Sequence, residues 1–474
     1  MALNGPESGH EAEARALLQD EWPDDPAVRR DATTAPVSRE ISPGYVLPVA
    51  LLAALAMAST AATAYVAYAQ LLCGGPASCG GDELAKYASF VAVAQGSANV
   101  LGLSALGYLR RLMAKNRRVG LIMWMFCRSL SAVMLLLGVL ADNIYVALSG
   151  RLFEGLASDN LLHFTLNAVY VQSPDQEKAS SWISQSLALY MIGISVSPFV
   201  VGFFADFTIS FFVAIGLFAL SIVYLLCCKT DTISRGQITA NELPLGGGDE
   251  IGFLEFLRKQ LRTIISPLDA FKKQPRHLLI GLSLFAFNVT QSYIFSALLV
   301  YTTSRLGFGS SQNGYIISIV HSVAALYIFI QLGIAPRIAQ YFRPRQTPQT
   351  PVNVARRDLL LAVVSLAIYI VSLVALGFAR QAWQIYSIAV FLAIGLPTPS
   401  FTKAYFVALF GDDEKSGALA ALTTLEMMAS ILGPVLIGGL QSRFAASSVI
   451  FFVAAGLGGV SLGLLAMHTL CVSR

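Results

Sequence analysis

Four ionisable side chains fall inside one short apolar stretch, GRLFEGLASDNLLHF at residues 150–164: Arg151, Glu154, Asp159 and His163. At the centre of a membrane helix each such group costs about 2.5–3.5 kcal/mol on insertion scales, so a chain that keeps four uses them or shelters them. At about 100° per residue they spread over about half of a helix circumference and can share one wet face. Arg151 and Glu154, three residues apart, are spaced for an ion pair, and Asp159 and His163 are four apart. Arg128, in MWMFCRSLSAV, is a partner for Glu154 or Asp159. Two roles fit this set: proton or substrate handling, or a fixed buried network that only sets helix packing. Burial favours a protonated carboxyl and a neighbouring guanidinium an ionised one, so the acid farther from arginine is the better proton carrier. By spacing that acid is Asp159.

The elements that must position these groups follow from composition. Of the 474 residues 55% are hydrophobic and 13% charged, against about 25% charged in an ordinary soluble domain. Mean hydropathy is +0.64. A helix needs about 20 apolar residues to cross the hydrocarbon layer. Twelve stretches qualify, at 45–71, 88–109, 119–141, 144–168, 181–204, 208–228, 278–301, 313–335, 359–378, 384–409, 418–440 and 447–470. The expected fold class is therefore all-α, a polytopic membrane protein of 12 transmembrane helices. Residues 1–42 form a polar N-terminal tail, 43–228 one six-helix bundle, 229–276 a polar central linker, and 277–474 a second six-helix bundle. The tail has the composition of a disordered segment and lacks the basic start and apolar core of a secretory signal. Within it Glu13, Leu17 and Leu18 have the spacing of an acidic dileucine sorting signal.

Lysine and arginine placement sets the orientation. With the N-terminus inside, the inner loops carry twenty of these residues and the outer loops four, Lys86, Arg305, Arg380 and Arg443. Both termini are expected on the cytoplasmic side, in the plasma membrane with the vacuolar membrane as an alternative. Cys73 and Cys79, in CGGPASCGG, then share the first outer loop and are candidates for a disulfide. Cys227 and Cys228 close the sixth span, as an acylation site or an inert pair. The six cysteines form no CxxC pair, so no metal site is expected. No P-loop, HExxH or GxSxG stands in a credible context, which points away from an enzyme, a cofactor and an ATP-driven pump.

The halves resemble each other. DQEKASSWISQSL (175–187) precedes the fifth span and DDEKSGALAALTTL (412–425) the eleventh, and Pro198 and Pro434 keep nearly the same offset from them. Parallel repeats of this kind place a substrate site between two bundles near the midplane.

On these features the chain resembles the major facilitator superfamily over about residues 43–472. GYLRRLMAKNRR (107–118) looks like that family's G-x-L-x-D-R-x-G-R-R/K loop: Gly107, Leu109 and the basic run with Arg117 and Arg118 match, whereas Arg111 stands at the aspartate position and Ala114 at the second glycine. The resemblance implies a latch between helix ends, which Arg111 puts in doubt; positive-inside anchoring explains the same residues. RLFEG (151–155) resembles R-x-x-Q-G of proton-coupled members, with Glu154 for glutamine. GISVSPFVVG (193–202) resembles the G-x-x-x-G-P-x-x-G pattern of antiporters through Gly193, Pro198 and Gly202, with Ser197 before the proline. A packed, kinked helix is the plainer reading of that segment. The texture of the whole is similar to fungal exporters of toxins and metabolites; a second resemblance is to importing folate and haem carrier relatives.

The second half is poorer in charge. Glu426 lies deep in the eleventh span, and Asn288 and Gln291 lie near the middle of the seventh; with Gln95 and Asn99 of the second they are candidates to line a substrate cavity. Lys403 is placed to snorkel to the cytoplasmic interface, and His321 is a weaker candidate. The expectation is a monomeric carrier whose partners are the bilayer, protons and a small molecule, with no nucleic acid. Its leading form is proton antiport exporting a small organic compound. The alternatives are proton symport importing a sugar, vitamin or organic anion, and a sensor or scaffold without turnover.

Overall fold

The computed structural model describes residues 43–75, 78–170, 176–204, 206–228, 275–334, 351–410, 415–444 and 447–473, with Leu268 and Phe271. The tail with Glu13, Leu17 and Leu18, nearly all of the central linker, and the side chains of residues 105–115, Gly107 and Arg111 included, lie outside the described residues.

The first bundle runs α1 in two pieces (Leu47–Ala61 and Thr63–Cys73), α2 (Gly81–Lys115), α3 (Arg117–Leu140), α4 in two pieces, α4a (Ile144–Leu156) and α4b (Asp159–Tyr170), α5 (Gln176–Val201) and α6 (Thr208–Cys227). The second runs α7 (Leu278–Leu306), α8 (Ser310–Phe329), α9 (Pro351–Phe378), α10 in two pieces, α10a (Ala382–Gly395) and α10b (Thr398–Val407), α11 (Lys415–Gly433, carried on by a π turn at Pro434–Gly438 and by Gly439–Arg443) and α12 (Val449–Ser473). Local chemistry sets the turns between them. Asn143 caps α4a by accepting from the Tyr145 and Val146 amides at 2.9 and 3.3 Å, and Asn116 caps α3 through the Val119 amide at 3.2 Å. Gly74 and Gly307 end α1 and α7 in the left-handed conformation that glycine adopts without strain.

By length and apolarity nine of these helices among the described residues suffice to span a membrane, and the chain is a multi-pass membrane protein. Of the other three, α2 carries Gln95 and Asn99, α4 carries the four ionisable groups and is interrupted between Leu156 and Asp159, and α5 is apolar over Gln185–Val201 of its described part.

Apolar packing is organised in three clusters. One, at the end of the molecule that bears the Cys73–Cys79 loop, is shared by both bundles: Tyr68, Tyr87 and Phe211 of the first pack with Tyr293, Leu298, Val320 and Phe451 of the second. The other two lie toward the end where the central linker attaches, one within the first bundle and one within the second together with Phe271 of the linker. The first holds Trp124, Leu162, Tyr190 and Phe218, the second Phe271, Leu284, Phe406 and Leu422.

Candidate functional site

The fourth span breaks where it carries its charges. Ala157 leaves the helical conformation at φ −105°, ψ 60°, and the Ser158 carbonyl oxygen accepts from the Trp124 indole Nε1 at 2.9 Å and from the Leu161 amide at 3.1 Å. With its carbonyl held by α3, Ser158 leads into a new helix start, and Asp159 occupies the first turn of α4b. A carboxylate there meets the positive end of the helix dipole.

Arg128, on the buried face of α3, ties both sides of the break together. Its Nη1 lies 2.8 Å from Glu154 Oε1 on α4a, and its Nη2 donates to Asp159 Oδ1 on α4b. Arg151 donates from Nη1 to Glu154 Oε2 at 2.8 Å and from Nε to the Tyr68 phenol at 3.3 Å. Its guanidinium lies over the rings of Tyr65 and Tyr68, 5.4 and 5.8 Å from their centroids, a cation–π arrangement that keeps the charge inside the fold. Glu154 is thus braced by two guanidiniums. Asp159 is engaged by one, and its side chain is 51% exposed against 33% for Glu154. The His163 ring packs edge-on against Tyr190 of α5, with centroids 4.5 Å apart.

A cavity of about 220 Å³ opens beside this network. The first bundle contributes Tyr65, Tyr68, Arg128, Ser131, Arg151 and Glu154; the second contributes Phe295, Ser296, Leu299, Ile317 and His321. It therefore lies between the halves. The Tyr65 phenol donates to Ser296 Oγ across its roof at 2.7 Å. The His321 Nδ1 lies 2.9 Å from the Ile317 carbonyl oxygen; a carbonyl only accepts, so Nδ1 carries a proton. Arg128 Nε is buried without a partner among the described residues, which leaves one donor of the network unused.

The other residues singled out from the sequence form a second polar group outside this lining. Lys403 Nζ of α10b lies 2.8 Å from Glu426 Oε2 of α11, and Asn288 Nδ2 of α7 donates to Glu426 Oε1 at 3.3 Å. Lys403 thus turns toward a carboxylate within the bundle, not outward to the interface. On α2, Gln95 donates to Asn99 Oδ1 at 3.2 Å, and Asn99 Nδ2 donates across the halves to the Ser430 carbonyl at 2.7 Å. Gln291 Oε1 is buried without a partner among the described residues.

The motif residues sit at helix contacts. A Cβ on Gly193 would stand 3.1 Å from the Leu51 carbonyl oxygen of α1, and Ser197 Oγ donates to the Leu55 carbonyl at 2.6 Å. The Pro198 carbonyl faces Gly314 of α8, where a Cβ would come within 2.6 Å of it, and a Cβ on Gly202 would lie 3.1 Å from Ser311 Cα. The antiporter-like segment is therefore part of the contact between halves. Arg118 Nη2 donates to the Leu226 carbonyl at the end of α6, 2.8 Å away; Arg117 opens α3. Cys73 and Cys79 form a disulfide.

Sequence reasoning missed the tyrosine pair around Arg151, the Trp124 anchor and the Lys403–Glu426 pairing. Only the first left a signal: Tyr65 and Tyr68 are three apart, on one helix face.

No protein-family model matches the chain, and no curated protein matches it in sequence. Solved structures do match. The human organic anion transporter MFSD10 (TETRAN) is similar over 90% of this chain and 100% of its own, at 15% identity and a TM-score of 0.54. The nucleoside transporter NupG is similar over 90% of this chain and 99% of its own, at 12% identity and a TM-score of 0.60. The fold is that of the major facilitator superfamily, twelve helices in two bundles of six, and these structural neighbours are transporters.

Proposed function

We propose that the chain is a proton-coupled secondary carrier that exports a small organic compound by antiport, rocking its two bundles around the cavity between them. One observation carries this reading: Arg128 links an acid that lines the cavity, Glu154, to one that stands half exposed beside it, Asp159. Glu154, held by two guanidiniums, stays ionised as part of the binding wall. Asp159, held by one, is the group that loads and releases the proton. When Asp159 is protonated, Arg128 loses half of its anchorage and the wall of the cavity is rearranged, which ties substrate occupancy to proton occupancy. The cavity suits a compact molecule with an aromatic or apolar body and a polar edge. The chain works as a monomer in the plasma membrane, with both termini cytoplasmic.

A second reading is proton symport importing an organic anion. It is favoured by the lining itself, which holds two guanidiniums against one carboxylate. Its sign is opposite, because protonating Asp159 frees positive charge for the anion.

Reconstituted vesicles with an acid lumen and inverted carrier decide between them. The exporter accumulates compounds from a mixed panel of small organic anions, cations and neutral aromatics, and releases lumenal protons as it does so; Asp159→Asn abolishes both. Uptake that moves protons together with an anion replaces antiport by symport. Compound binding without flux under any gradient replaces the carrier by a sensor.

A further inference from the structure

We propose that Glu426 is a proton-binding carboxylate in its own right, separate from Asp159, with Lys403 as its internal counter-ion. The inference goes beyond the reading of the first bundle and does not depend on it.

The geometry sets Glu426 apart from a residue that only packs. Its two oxygens have different partners: Oε2 faces the Lys403 ammonium at 2.8 Å, and Oε1 accepts from Asn288 at 3.3 Å. The acid and the lysine are 20% and 17% exposed at their side chains, so they are largely removed from solvent. A carboxylate in such a place exists as an anion only while a cation stays beside it. Of its named partners, helix α10b supplies the charged Lys403 and α7 the neutral Asn288. Helix α2, which also packs on α11, carries the neutral Gln95 and Asn99, the latter bonded to the Ser430 carbonyl. Gln291, one turn from Asn288 on α7, holds a buried oxygen with no partner among the described residues.

The place in the fold gives the proton a consequence. Ser430 lies four residues from Glu426 on the same face of α11, about 6 Å along the axis, and its carbonyl takes the hydrogen bond from Asn99 of the other bundle. Side-chain bonds that cross between the halves in the described residues include Ser89 to Ser442, Ser442 to the Ala85 carbonyl, Tyr65 to Ser296 and Asn99 to the Ser430 carbonyl. The last reaches farthest along α2 toward the linker end. Glu426 sits one turn beyond it along α11 toward the linker end. The step is simple: a proton from water at the linker end adds to a Glu426 oxygen, the Lys403 ammonium keeps its own protons, and no other bond forms or breaks. Lys403 then loses this carboxylate's charge, and its four-carbon stem lets the ammonium follow water toward that end.

The test is pH-difference infrared spectroscopy on the purified full chain in lipid, reading the carbonyl stretch of protonated carboxylic acids. We expect a band that Glu426→Gln removes and Asp159→Asn leaves in place. Lys403→Gln should move the midpoint of that band to higher pH by at least one unit, a tenfold gain in proton affinity. A wild-type spectrum retained in Glu426→Gln overturns the proposal. So does a midpoint unmoved by Lys403→Gln, which remains informative if the glutamate variant does not fold.

Discussion

The two ends of the molecule are built in opposite ways. At the disulfide end, a single apolar core draws on both bundles, Gly314 lets α8 meet the Pro198 carbonyl of α5, and Ser89 and Ser442 approach to 2.5 Å. At the linker end each bundle has a core of its own. The ion pairs of Arg128 with Glu154 and Asp159, and of Lys403 with Glu426, each join residues of one bundle. Apolar packing and a few side-chain hydrogen bonds join the halves at one end; the two sets of ion pairs lie nearer the other. On the proposed function, it is these charges that respond to protons.

The largest effect should come from Arg128→Met, which strips both Glu154 and Asp159 of a guanidinium. Breaking a buried pair costs about 3–5 kcal/mol, and the fall in thermal unfolding in detergent should lie at the lower end because Glu154 keeps Arg151. The contact between halves at the disulfide end should be unchanged, so cross-linking between cysteines placed at Ser89 and Ser442 should proceed as before. Loss of that cross-link would show that the charges also hold the seal, and the contrast between ends would dissolve. A smaller effect, about 1–3 kcal/mol by the usual cost of overpacking, is expected for Gly314→Val. Here the added methyls meet the Pro198 carbonyl, and thiol reagents should gain access to a cysteine at Ser296 from the disulfide end. Stability lost with no gain in access would mean that the seal yields elsewhere.

Much of this was legible in the sequence, and for identifiable reasons. Twelve apolar stretches and a polar linker follow from the length needed to cross a bilayer, and the Arg151–Glu154 pair follows from helix periodicity. The Cys73–Cys79 pair followed from its place in one short outer loop. The break in α4 did not show, because no proline marks it and the nearby Gly155 is explained by its close packing on Ala98 of α2; it depends on an indole from α3 reaching the Ser158 carbonyl. Lys403 read as a snorkelling residue because its partner, Glu426, is on a different helix. The cavity was sought among Asn288, Gln291, Glu426, Gln95 and Asn99, yet the one described here is lined from the side of Tyr65, Arg151 and His321. Sequence places polar residues at a depth in the membrane; it does not say which helices close around them.

The central claim is that the halves exchange which end is sealed, under control of the proton on Asp159. Electron–electron distance measurements test it most directly, in a background lacking free cysteines, with one spin-label pair at Val119 and Leu360 near the linker end and another at Leu140 and Phe378 near the disulfide end. All four residues are exposed on the outer surface of the bundles. The account predicts that changing pH shortens the first distance and lengthens the second together, and that Asp159→Asn holds both distributions at one extreme. Distances that ignore pH in the native chain, or that respond equally in Asp159→Asn, would contradict it.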